Sequence, residues 1–179
     1  VYSKYLKEDS FEASQIPIYI AATNLNEGKT EMFHSGSLKQ AIMASCCIPF
    51  IFDPVKIGED YYVDGGILNN MPTEILQEKG CDFIIGVNVA PLVKEPNLSG
   101  PKRMIERVTV LALSANVMYS SRICDVYIMP QELRKYGTFD FKKSRELFNI
   151  GYEHARQLLD SPESEKLQKL LSIAESKSA

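Results

Sequence analysis

Two hydrophobic periods alternate along this chain. Ile16-Pro17-Ile18-Tyr19-Ile20-Ala21-Ala22 is almost wholly apolar and predicts a buried strand with proline at its entry. The polar residues 23–28 predict a turn, and residues 29–34 a second, shorter strand. Leu38, Ala41, Ile42 and Ser45 then recur at helical spacing. Ser37 is placed to cap that helix, with Gln40 three residues on to complete a capping box, and the helix has to stop before Pro49. Residues 48–55 are apolar but hold two prolines, which predicts an irregular, packed loop.

Tyr61-Tyr62-Val63 is a short run of strand formers, and residues 72–79 predict a short helix entered at Pro72 and closed by Gly80. Phe83-Ile84-Ile85-Gly86-Val87-Asn88-Val89 reads as a parallel strand covered on both faces, and the strand–helix–strand order around Pro72 suits a right-handed crossover. Residues 91–103 hold three prolines and Gly100, the composition of a surface loop, lid or linker. Met104, Val108, Leu111, Ala115 and Met118 predict a long amphipathic helix whose stripe faces a core. Val126-Tyr127-Ile128-Met129 predicts a last strand. Leu147, Ile150, Gly151, His154 and Leu158 line a further helix, and Leu167, Leu170 and Leu171 mark a final one.

Composition narrows the function classes. The 179 residues are 45% hydrophobic and 24% charged, the balance of one globular domain with a substantial core. A net charge of −3 gives no basis for nucleic-acid binding, and no run of eighteen apolar residues predicts a transmembrane helix. Cys46, Cys47, Cys81 and Cys124 form neither a disulfide framework nor a zinc-spaced set; they read as reduced, buried side chains in a cytoplasmic protein. No pattern calls for a metal or cofactor.

The segment built for chemistry is Val63-Asp64-Gly65-Gly66-Ile67-Leu68-Asn69-Asn70-Met71-Pro72. Asp64 is expected at the end of a strand, on a loop leading into a helix, where ligands gather in α/β proteins. Gly65 and Gly66 allow unusual φ and let another group approach the main chain closely. Asp-Gly is also an ordinary turn dipeptide, so the string alone does not establish a site. A lone Asp breaks bonds only as a nucleophile or a base. Of the two histidines, His34 ends a strand and His154 lies on an apolar helix face, so both read as structural. No Gly-x-Ser-x-Gly, Gly-x-Gly-x-x-Gly or phosphate-loop string occurs. Ser45 lacks flanking glycines and reads as a helix-end serine, and nothing basic adjoins Cys46 or Cys47 to lower a thiol pKa.

Taken together, the strings resemble the C-terminal part of the patatin-like phospholipases. The resemblance rests on Ala21-Ala22-Thr23-Asn24-Leu25-Asn26-Glu27-Gly28, on Ala44-Ser45 with Ile48-Pro49, on Phe52-Asp53-Pro54-Val55, on Tyr62 through Pro72, and on Cys81 through Val89. It is good over residues 16–90 and weaker at 125–130 and 151–155. The resemblance implies a three-layer α/β/α fold with a mostly parallel sheet, of which residues 1–179 are the C-terminal part of a single domain, incomplete at the N-terminus. It implies a serine lipid acyl hydrolase using a Ser-Asp dyad, with Asp64 as the dyad acid in the Asp64-Gly65-Gly66 motif. The serine elbow and oxyanion loop of the family are absent from these residues and are expected before Val1, so the chain alone is expected to be inactive. Partners implied are a lipid or ester substrate and, at a cytoplasmic address, peripheral contact with a membrane. Strands that lack their native cover predict self-association. The alternatives are a non-catalytic binding module of the same fold and a nucleotide-binding α/β domain using Gly65-Gly66 as an anion site.

Overall fold

The computed structural model describes residues 6–92, 94, 98–137, 140–161, 165, 168, 169 and 172. They fall into two compact units, residues 1–72 with 98–119, and residues 73–97 with 120–179. The fold is mixed α/β, as expected, but the strand directions differ from the expected mostly parallel sheet.

In the first unit, β1 (Ile20–Asn24), β2 (Lys29–Phe33), β3 (Val55–Ile57) and β4 (Asp60–Asp64) form one sheet in the order β2-β1-β4-β3, antiparallel throughout. Short connections dictate this: four residues join β1 to β2 and two join β3 to β4, too few for a parallel crossover. The β1–β2 turn is organised by Asn24, whose fully buried side chain accepts from the amides of Asn26 and Glu27 and donates to Asp60 Oδ2 at 3.1 Å. β1 therefore begins at Ile20 rather than Ile16, which is 74% exposed, and it runs on through Thr23 and Asn24.

Helix α1 (Leu38–Ser45) packs on this sheet. Residues directly opposed across antiparallel strands share a face. Thus Ile20 opposes Phe33, Ala22 opposes Asp64 and Val55 opposes Tyr62. Leu38 and Ala41 meet Phe11, Ile20 and Phe33, while Ala44 meets Ala22 and Tyr62. Ala22 and Ala44 are wholly buried. Two small side chains at that crossing leave helix and strand free to approach closely. Ser37 caps α1 as expected, accepting from the Gln40 amide at 3.1 Å, but a second acceptor joins it: the Asp9 carboxylate takes the Ser37 hydroxyl and the Lys39 amide.

Ile48 and Pro49 are half-buried, but residues 50–52 are not packed. Phe50, Ile51 and Phe52 are exposed, with Phe50 at φ +66. The amides of Ile51 and Phe52 turn back to the Ile48 carbonyl, and this tight bend beside Pro49 turns the side chains outward. After β4 comes α2 (Gly66–Asn69), against which α4 (Pro101–Ser114) packs, with Pro101 in its first turn. The expected long helix breaks at Ala115-Asn116, and α5 (Val117–Ser120) follows. Met104, Val108, Leu111 and Met118 are exposed rather than core; Val117 is the buried residue there.

In the second unit, β5 (Ile85–Val87) pairs in parallel with β6 (Val126–Ile128). Among the described residues β4 and β5 belong to different sheets, so the crossover expected between them is not formed. Asp125 pins the register, its carboxylate accepting from the Ile84 amide at 2.9 Å while its own amide donates to the Ile84 carbonyl. Ile84 and Val126 are buried, but Ile85, Val87 and Val89 are exposed, so the strand is covered on one face only. The helix expected from Pro72 is α3 (Glu74–Glu78), preceded by Thr73, whose hydroxyl donates to the Ser120 carbonyl rather than capping the helix, and closed by Gly80 at φ +77. Helix α6 (Ser144–Leu159) carries the expected stripe of Leu147, Ile150, His154 and Leu158, each half-buried. Leu167, Leu170 and Leu171 lie outside the described residues, as do 93 and 95–97 of the expected loop. No helix among the described residues is long and apolar enough to cross a membrane.

Candidate active site

Asp64 is the last residue of β4, as its place after a run of strand formers requires. The expected loop after it does not exist. Gly65 caps α2 at φ −63, an ordinary helical value, and the helix starts at Gly66. Left-handed backbone is thus not why glycine stands at 65. The reason is proximity: a β-carbon there would lie 2.3 Å from the Ala21 carbonyl oxygen and 2.6 Å from its carbon. At Gly66 a β-carbon would meet Asn70 Oδ1 at 2.8 Å and Asp64 Oδ1 at 3.0 Å. The two side chains therefore crowd one point.

Asp64 is gripped at three atoms. Its amide donates to the Cys47 carbonyl at 2.9 Å, which ties β4 to the end of α1. Its own carbonyl accepts the Thr23 hydroxyl at 2.9 Å. Its Oδ1 accepts the Gly66 amide at 2.8 Å. No hydrogen bond among the described residues engages Oδ2, and Asp64 joins no salt bridge there. Burial pushes the Asp64 carboxyl above the ordinary aspartate value, against the opposing pull of the Gly66 amide. The consequence for stability has a definite sign. A carboxyl raised in the folded state leaves stability greatest at low pH and lowers it as pH rises through the folded value.

The half-buried carboxylate lines a groove of about 250 Å³ with Tyr19, Ala21, Ser45, Gly65, Gly66, Asn69 and Asn70. Sequence reading singled out Asp64, Gly65 and Gly66, and the structure brings all three to this groove. It gave little weight to Ser45, which lines the groove from the last turn of α1 without bonding Asp64. It missed Asn70, although four residues on from Gly66 is the spacing that returns a side chain to the same helical face. It also missed Tyr19 and Thr23, whose places depend on strand pairing.

His34 stacks on Tyr19, with ring centroids 5.7 Å apart, and its Nδ1 lies 3.2 Å from the Met32 carbonyl; no contact joins it to Asp64. His154 belongs to the other unit, in a separate groove with Glu132 and Glu153. Cys46 and Cys81 are exposed, contrary to expectation, and Cys47 is buried. Partial desolvation by the atoms around its sulfur, and then the negative Asp64, push the Cys46 thiol up, so it is not an activated nucleophile. Among the described residues no cluster of His, Cys, Asp or Glu could hold a metal ion.

An unpaired, half-buried carboxylate with one oxygen fixed can accept a proton through the other. Comparison with known proteins places the segment around Asp64 beside lipid hydrolases. Residues 4–76 match the family model for patatin-like phospholipase. The chain is 24% identical over 183 residues to lysophospholipase NTE1 of Kluyveromyces lactis, covering 87% of this chain and 13% of that protein. It is 24% identical to the lysophospholipases nte1 of Aspergillus fumigatus and Neurospora crassa, over 188 and 187 residues, in each case 90% of this chain and 12% of the relative. The chain thus spans about an eighth of the length of these relatives. The strand, the Asp-Gly-Gly turn and the groove all lie inside the segment that matches the patatin-like phospholipase model.

Proposed function

We propose that this chain is the acid-bearing part of a serine lipid acyl hydrolase, a phospholipase or esterase using a Ser-Asp dyad. Asp64 is the dyad acid, and the serine stands on a segment outside residues 1–179. The carrying observation is the state of Asp64: half-buried in a groove, fixed at Oδ1 by the Gly66 amide and, among the described residues, with Oδ2 unengaged and no salt bridge. In this reading Oδ2 takes the proton of the serine hydroxyl as its oxygen attacks the ester carbonyl carbon. The tetrahedral intermediate expels the alcohol, which leaves with that proton. Water then repeats the sequence on the acyl-enzyme, releasing the fatty acid and restoring the serine. A carboxyl raised by burial is the stronger base for this work.

The named relatives are lysophospholipases, which supports a lipid substrate. Residues 1–179 read as the C-terminal part of one patatin-like domain. The absence of a Gly-x-Ser-x-Gly elbow from the sequence supports a nucleophile supplied from elsewhere. The test is hydrolysis of a short p-nitrophenyl ester by two proteins side by side. The full-length protein should turn it over, and the 179-residue chain should not exceed the uncatalysed rate. Turnover by the chain alone would overturn the assignment, and an inactive full-length protein would favour a binding module of the same fold.

A further inference from the structure

We propose that Thr23 is a positioning residue for Asp64: its hydroxyl fixes the peptide plane that aims the carboxylate. The inference rests on the reading of Asp64 as the catalytic acid. Thr23 sits in β1 opposite Val63 of β4 and is 3% exposed. Strand and packing needs at such a position are met as well by valine, which has the same shape and a strong preference for strands. The hydroxyl is therefore the part the sheet does not require. Burying it without a partner would be unfavourable. Its partner is the carbonyl of Asp64, 2.9 Å away, at the residue where β4 ends.

That carbonyl shares a rigid plane with the amide of Gly65. If it swings, the backbone leading to Gly66 turns with it, and the Gly66 amide leaves Asp64 Oδ1, which it now meets at 2.8 Å. The Cys47 carbonyl holds Asp64 at its amide, on the other side of its α-carbon, and cannot fix this plane. Gly65 cannot brace it through a side chain. Thr23 is thus the side chain that reaches across from another strand to hold the plane in place.

The test pairs two readouts on Thr23→Val and Thr23→Ser. In the full-length protein labelled with 15N-glycine, the Gly66 amide proton is followed by NMR as a function of pH, because it reports ionisation of the carboxylate it bonds. In the full-length protein, kcat and KM for a p-nitrophenyl ester are followed as a function of pH. Thr23→Val should raise the midpoint seen at Gly66, since the charged carboxylate loses an amide donor. It should lower kcat about tenfold with KM within about twofold and move the acid limb of the rate profile upward with the midpoint. Thr23→Ser should restore both. Should the valine chain not fold, Thr23→Ala against Thr23→Ser makes the same comparison. An unchanged midpoint, or a changed midpoint with unchanged kcat, overturns the proposal. If instead Asp64→Asn leaves kcat intact, it is the catalytic reading that has failed, and the Gly66 midpoint still judges the grip of Thr23.

Discussion

Asp64→Asn in the full-length protein should lower ester hydrolysis by about 10²-fold or more, the contribution expected of a positioned general base. The amide is the same size as the carboxylate and keeps an oxygen to accept the Gly66 amide, so the turn survives. What it cannot do is take the serine proton. The same substitution carries its own control for folding. Burial holds the Asp64 carboxyl above its ordinary value, so ionisation of Asp64 costs stability as pH rises through that value. Asn removes the cost. The variant should melt at or above the wild-type temperature at neutral pH, and the difference should vanish near about pH 3, below the ordinary aspartate range. A variant both inactive and markedly less stable at neutral pH would point to a structural Asp64 instead.

Gly65→Ala should do the opposite, removing stability first. The added methyl would lie 2.3 Å from the Ala21 carbonyl oxygen, 2.6 Å from its carbon and 2.9 Å from its β-carbon. Backbone atoms of a central strand cannot step aside as a side chain can. Overpacking of this kind costs about 3 kcal/mol, and the ordinary φ of −63 at Gly65 means that none of it comes from backbone strain. Gly66→Ala is the informative contrast. Its methyl would meet the ends of Asn70 and Asp64, which can rotate away. The chain should stay folded while the carboxylate is displaced. Thermal melts of the two variants separate the roles: equal, small losses at both positions would show that strand and turn are not as close as described.

The parts of this site legible in the sequence are those fixed by neighbours in the chain. Tyr61-Tyr62-Val63 ahead of Asp64 is a strand because of local preference, and it ends where glycine begins. Ser37 caps α1 three residues before the amide it accepts, and proline beyond the helix limits its run. Sheet order was not legible in this way. Apolar strands such as Ile16–Ala22 and Phe83–Val89 carry no mark of their partner or direction. The sequence therefore suggested a parallel crossover from β4 to β5, whereas among the described residues β4 belongs to an antiparallel sheet and β5 pairs in parallel with β6. The role of Gly65 was half legible: glycine was needed for close approach, and only pairing of β4 with β1 reveals that Ala21 is what it approaches. Thr23 and Asp9 escaped for the same reason. Their partners lie 41 and about 30 residues away, and nothing local announces them. The exposed run from Phe50 to Phe52 shows the converse, where apolar composition suggested packing and a tight turn turned the side chains outward.

In the proposed dyad, Asp64 activates a serine outside residues 1–179. Labelling of the full-length protein with a fluorophosphonate, followed by mapping of the modified peptide, tests it most directly. A single labelled serine outside residues 1–179 is expected, modified about 10²-fold more slowly in Asp64→Asn. Label on Ser45, or equal labelling rates for the wild type and Asp64→Asn, would contradict it.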